Sequence, residues 1–165
     1  MKPTFYLLMG VSGCGKTTIG NALATNLGWD FYDADELHPP ENITKMSSGI
    51  PLADDDRTPW LVSLHALIST CLMEKKHGVL ACSALKERYR QMLLAGNQGL
   101  QIVYLKGDYD LIWARMIDRP GHYMKPEMLK SQFDVLDEPT NCLVVDASLA
   151  VAEIVENILE CSAAM

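Results

Sequence analysis

Gly10-Val11-Ser12-Gly13-Cys14-Gly15-Lys16-Thr17 fits the phosphate-binding pattern G-x-x-x-x-G-K-[ST] at every fixed position. Its flanks suit the same reading. An apolar run over 5–9 precedes it and is fit for a buried strand. After it, Ile19, Ala22, Leu23 and Leu27 recur at helical spacing over 18–27, and Gly28 stands where a helix is capped. Strand, glycine-rich loop and helix together aim backbone N–H groups and the positive end of a helix dipole at one anion. Residues 10–17, with Thr18 just behind them, are therefore expected to cradle the phosphates of a nucleoside triphosphate such as ATP. Lys16 is long enough to reach the outer phosphates, and the Thr17 hydroxyl can join the ligand shell of Mg2+. Two readings are open for Cys14. Its thiol either ionises readily beside Lys16 and the helix N-terminus, or packs inward as a small inert side chain.

With 165 residues the chain is expected to form one domain, 1–165, around a full hydrophobic core. Hydrophobic residues at 48% and charged residues at 21% are the proportions of a globular protein, not a disordered one. The net charge of −7, from 21 acidic and 14 basic residues, speaks against a nucleic-acid partner, which needs a basic face. A small anionic substrate stays compatible, because a few local cations outweigh the global field at close range. No apolar run approaches the roughly 20 residues that a membrane span requires. The chain is expected to run straight into its first strand with no room for a leader, and its five cysteines form no C-x-x-C pair. Reduced thiols and a cytoplasmic location are expected.

Four further strand candidates lie at 29–32, 79–82, 101–105 and 142–145. Helical patterns separate them, at 59–76, 86–95, 108–117 and 126–136, and a last one covers 151–159. Alternating β and α predicts an α/β fold, a parallel sheet with helices on both faces. Two segments stand outside the alternation. The first, about 36–58, is rich in Pro, Asp and Ser and is expected to hold substrate; the second, about 119–127, is expected to form a lid.

Asp33-Ala34-Asp35 follows the second strand. Residues two apart on a strand share a face, so both carboxylates would emerge at the carboxyl edge of the sheet, beside the phosphate loop if the two strands are neighbours. One could hold Mg2+ through water while the other takes a proton from an attacking hydroxyl; a pair of solvated turn carboxylates is the plainer alternative. Asp54, Asp55 and Asp56 suit a helix N-terminus, and Arg57 behind them can grip a carboxylate with two parallel hydrogen bonds. Lys86 and Arg90 lie four apart, as one basic helix face or as substrate contacts. His38 is open to a polyol contact or to a structural turn. Arg115 and Arg119 are also four apart, leading into the lid, where an arginine brings positive charge to a transferring phosphoryl group. A GTPase switch is disfavoured because no N-K-x-D guanine motif occurs.

Several longer runs carry a resemblance. They are Asp33-Ala34-Asp35-Glu36-Leu37-His38-Pro39, the run from Asn42 to Leu52, Asp54-Asp55-Asp56-Arg57-Thr58-Pro59-Trp60-Leu61, and Cys82 to Arg90. Further along come Tyr104 to Asp108, Gly121-His122-Tyr123 and Ser131-Gln132-Phe133. Together with the phosphate loop they resemble the gluconate kinases, small sugar-acid kinases close to shikimate kinase. The resemblance implies transfer of the ATP γ-phosphoryl group to the 6-hydroxyl of D-gluconate. It also implies a P-loop kinase fold with a five-stranded parallel sheet in the order 2-3-1-4-5, a lid, and a homodimer. By motif, Asp35 and Arg57 would meet the sugar acid, with Asp35 as base and Asp33 near the metal. Arg115 would lie against the adenine and Arg119 on the phosphates. Cys14 departs from the serine that the family pattern leads one to expect.

Overall fold

The computed structural model describes residues 3–120 and 125–164. Five parallel strands, β1 (Phe5–Met9), β2 (Asp30–Asp33), β3 (Gly78–Ala81), β4 (Leu100–Lys106) and β5 (Leu143–Asp146), pair in the order β2-β3-β1-β4-β5. All of β1 is buried, and its alternation divides the core in two. Phe5, Leu7 and Met9 face α3 (Asp54–Met73) and α4 (Glu87–Leu94), meeting Trp60, Leu61, Leu64, Ile68, Tyr89 and Leu93. Tyr6 and Leu8 face the opposite layer of α1 (Lys16–Leu27), α5 (Tyr109–Ile117), α6 (Pro126–Val135) and α7 (Val151–Ala163). A strand covered on both faces needs no polar alternation, which is why the run before the phosphate loop is apolar throughout.

The register sets the site. Leu8 of β1 and Asp33 of β2 both pair with Ala81 of β3, so the carboxyl ends of the three strands are level. β2 is not the neighbour of β1; β3 lies between them, in the order 2-3-1-4-5 that the resemblance implies. The Gly10 N–H donates to the Ser83 carbonyl at 3.3 Å, tying the loop to the end of β3.

Segment 36–58 holds more regular structure than its composition suggests. A 3-10 turn covers Ala34–Leu37, and α2 (Pro40–Ser47) opens with proline at its first position, where the missing N–H costs nothing. The sequence pattern starts the long helix at Pro59, but α3 begins at Asp54 and runs through that proline. Asp54, Asp55 and Asp56 fill its first turn, and Asp56 accepts the Ala53 N–H at 2.8 Å, the one half of a capping box open to an alanine cap. Negative charge on the dipole and the Asp56 contact to the Ala53 N–H offset the one hydrogen bond lost at Pro59. α3 ends at Met73, short of Lys75, Lys76 and His77. Gly28 closes α1 in the left-handed conformation, as its position suggests. Among the described residues no helix is long and apolar enough to cross a membrane.

Candidate functional site

A cleft of about 790 Å³ opens at the carboxyl edge of the sheet. Its floor is the phosphate loop, with Ser12, Gly13, Gly15, Lys16, Thr17 and Thr18 on its lining. Gly13 has φ +81°, and a Cβ there would sit 2.7 Å from the Met116 side chain. Only glycine allows the loop to curl this closely against α5. Gly15 caps α1 in the left-handed region, and the helix begins at Lys16 with its free N–H groups facing the loop. The Lys16 ammonium donates to the Gly10 and Val11 carbonyls, both at 2.9 Å, so the lysine spans the loop from its far side.

Cys14 takes the second of its two readings. Its side chain is fully buried in the core beside Val11 and Ile19, and a Cβ on Gly10 would meet its sulfur at 2.7 Å. Cys14 is not among the residues lining the cleft, and its sulfur lies 3.9 Å from the Lys16 ammonium. Burial leaves a reagent no open path to the sulfur.

Asp33 and Asp35 both line the cleft, but not by strand alternation. β2 ends at Asp33, whose Oδ1 accepts the Asp35 N–H at 3.0 Å and caps the 3-10 turn that carries Asp35. Lost hydration in the cleft raises the Asp35 carboxyl above the ordinary carboxylate range; the Asp33 charge adds to this, and Lys16 and His38 oppose it. Below both lies Cys82, its thiol pushed up to about 12 by burial.

The far wall comes from α3 and α4. Arg57 lines the cleft with Nη1 on the Leu52 carbonyl at 2.9 Å, and no carboxylate pairs with it among the described residues. Lys86 also lines it, but Asp54 holds its ammonium at 3.0 and 3.1 Å. Arg88 and the Tyr89 hydroxyl meet the same carboxylate. Lys86 is thus held in a pair where it stands, and Arg57 keeps most of its donors for a ligand.

Arg90 does not join this wall. Lys86 precedes α4 in extended backbone, so the two residues share no helix face. Arg90 is buried, and all five of its N–H groups are taken. Nε and Nη2 meet Glu87 at 3.1 and 2.5 Å, Nη1 meets the Ala84 and Leu85 carbonyls at 2.8 and 2.9 Å, and Nη2 reaches the Asp137 carbonyl at 2.7 Å. It is a staple between two loops, and its expected role toward substrate is corrected accordingly. His38 is likewise absent from the cleft lining. Its ring stacks on Trp60 at 4.3 Å and its Nδ1 faces the Asn42 amide at 3.2 Å, so it takes the structural reading. Burial lowers its pKa, with Asp35 opposing and Arg57 adding.

A second pocket of about 270 Å³ lies on the α5 side of the loop, lined by Gly13, Thr18, Arg115 and Leu149 among others. Arg119, just past the end of α5, borders both cavities. Gly121, His122 and Tyr123, within the expected lid, lie outside the described residues. Two residues without a role in the motif reading belong to the site. Trp60 donates from Nε1 to the Ala34 carbonyl at 2.7 Å, locking the Asp35 turn onto the helix of Arg57. Gln132 of α6 contacts Ser12 directly. Both fall in runs that carry the family resemblance, which was the signal available for them.

The metal-binding potential is narrow. Among the described residues no three His, Cys, Asp or Glu side chains cluster as a metal site. Thr17 and the remaining oxygen of Asp33 share the cleft, which fits an ion that takes one hydroxyl, one carboxylate, waters and phosphate oxygens.

The sequence model described as shikimate kinase matches residues 12–162. The thermoresistant gluconokinase of Escherichia coli (strain K12) is 45% identical over 159 residues, covering 94% of this chain and 91% of its own. The gluconokinase of Gluconobacter oxydans (strain 621H) is 42% identical over 139 residues, 84% of this chain and 78% of its own. This chain belongs to the gluconokinase family. The crystal structure of a gluconokinase from Sinorhizobium meliloti 1021 superposes with a TM-score of 0.88 at 41% identity, covering 98% of this chain and 92% of that one. The fold of this gluconokinase-family member is that of the P-loop kinases, and the protein is a kinase.

Proposed function

We propose that this protein transfers the γ-phosphoryl group of ATP to the 6-hydroxyl of D-gluconate, giving 6-phospho-D-gluconate and ADP. One observation carries the proposal: a single cleft has the phosphate loop as its floor, Asp35 beside it, and on its α3 wall the Arg57 guanidinium, which no carboxylate pairs among the described residues. An acceptor with a carboxylate at one end and a hydroxyl at the other fits between them. Arg57 would take the carboxylate in a two-point contact, leaving the 6-hydroxyl near Asp35. Asp35, with its raised pKa, would accept the hydroxyl proton as the new O–P bond forms. Gly10 to Thr18 would bind the triphosphate, with Lys16 on its outer phosphates, Arg119 on the transferring group and Arg115 on the base side. Thr17 and Asp33 would hold Mg2+, which supplies charge neutralisation on the phosphates when bound. We take the enzyme to be a cytoplasmic homodimer, which sedimentation and cell fractionation check.

The test is ATP consumption with and without Mg2+ across D-gluconate, shikimate, glucose and a nucleoside. D-Gluconate should raise the Mg2+-dependent rate strongly and the others little, and phosphorus NMR of the product should place the ester at C6. Equal stimulation by shikimate, or none by gluconate, overturns the assignment.

A further inference from the structure

Ser12 and Gln132 stand 120 residues apart and make a two-point contact. The Ser12 N–H donates to Gln132 Oε1 at 2.7 Å, and Gln132 Nε2 donates to the Ser12 hydroxyl oxygen at 3.0 Å. The orientation of the amide is dictated by chemistry. A backbone N–H can only donate, so Oε1 faces it and Nε2 faces the hydroxyl. Ser12 Oγ is then an acceptor toward Gln132, and its own proton is left to donate elsewhere. Ser12 borders the larger cleft, which Asp35 and Arg57 also line, and is absent from the pocket on the Arg115 side. It therefore stands at the acceptor end of the phosphate loop, where the last phosphate of a triphosphate would lie.

Gln132 is itself held firmly. Leu129 of α6 is fully buried, and Phe133 packs on the Tyr109 ring at 5.9 Å. Beyond the helix, the Asp137 N–H donates to the Leu85 carbonyl at 2.9 Å, and the Asp137 carbonyl accepts from Arg90. A packed helix thus presents a neutral amide to the glycine-rich loop, which is how a ligand-facing donor is held in a productive orientation.

Resting on the nucleotide half of the function proposed above, we infer that Gln132 is a positioning residue that turns the Ser12 hydroxyl proton toward the terminal phosphate, making the site prefer a nucleoside triphosphate over a diphosphate. Glutamate at 132 would reverse the polarity. Its carboxylate would accept the hydroxyl proton, and its charge would repel the phosphate.

Titration calorimetry with MgATP and with MgADP, no acceptor present, tests this on the full chain. In Gln132→Met, which keeps the side-chain volume, the ratio of ADP to ATP dissociation constants should fall about tenfold, the effect of one hydrogen bond to a charged group. ADP affinity and melting temperature should stay near the parent's. Ser12→Ala should show the same fall, and the double variant no further one, because both act through one contact. Gln132→Glu should lose more ATP affinity than Gln132→Met. An unchanged ratio, equal losses for both nucleotides, or additive losses in the double variant overturns the inference. Because no sugar acid takes part, failure of the gluconate assignment leaves this result readable.

Discussion

Asp35 concentrates the chemistry of the site in one side chain. Its carboxyl is raised by lost hydration and by the neighbouring Asp33, held two residues away through the hydrogen bond to the Asp35 N–H. A base works only when ionised, so turnover falls as the pH drops through its pKa. A raised pKa moves that fall to higher pH than an ordinary carboxylate would give. Removing the Asp33 charge in Asp33→Asn should shift the acid limb of the kcat/KM profile to lower pH, and an unmoved limb would assign it to another group. Asp35→Asn should lower kcat by about 10²–10⁴-fold with ATP affinity nearly kept, since the loop backbone and Lys16 hold the nucleotide. Near-normal turnover in that variant would remove Asp35 from the role of base. Trp60 sets the distance between this residue and Arg57, a dependence that neither residue type advertises.

At the scale of elements, loops stapled to one another determine where α4 and α6 present their side chains. Arg90 joins the β3–α4 connection, through the Ala84 and Leu85 carbonyls, to the chain leaving α6, through the Asp137 carbonyl. Asp137 returns the contact, its Oδ2 accepting the Glu87 N–H at 3.0 Å. Arg90→Met would fill the space but leave the buried Ala84 carbonyl without a donor among the described residues, and the Leu85 carbonyl with only the Asp137 N–H, at a cost of about 1–3 kcal/mol. Urea unfolding should record that loss, while kcat per folded molecule and the KM for the acceptor remain close to the parent's. A selective rise in acceptor KM with unchanged stability would return Arg90 to the substrate wall. α2 is coupled to α3 in a similar manner: the Lys45 ammonium meets Asp56 at 2.7 Å, and the buried Asn42 amide donates to the Asp56 carbonyl at 2.9 Å. The segment that reads as a loop is therefore fastened to the helix that carries Arg57.

For the whole molecule, ligand binding and folding are linked. The loop, α1, α5 and α6 all border the nucleotide-side cavities, so MgATP engages elements from both halves of the chain. A ligand that binds only the folded state at 100 times its Kd adds about 2.7 kcal/mol, which for a chain of this size raises Tm by roughly 5–10 °C. Scanning calorimetry with MgATP should record such a shift, and its absence in Lys16→Ala would tie the effect to the loop; no shift in the parent would remove the nucleotide site. Much of this architecture was legible in sequence. The phosphate loop, the buried first strand, the cap at Gly28, the parallel α/β alternation and the candidate residues Lys16, Asp35 and Arg57 all rest on signals a few residues long: spacing, periodicity and capping chemistry. The tertiary structure alone decided the rest. It buried the Cys14 thiol, stacked His38 on Trp60, drew Lys86 into a pair with Asp54, and closed all five donors of Arg90. Each of those outcomes depends on which partner stands opposite, 22 residues away for His38 and 120 for Ser12 and Gln132, and short-range patterns carry no record of a partner that distant.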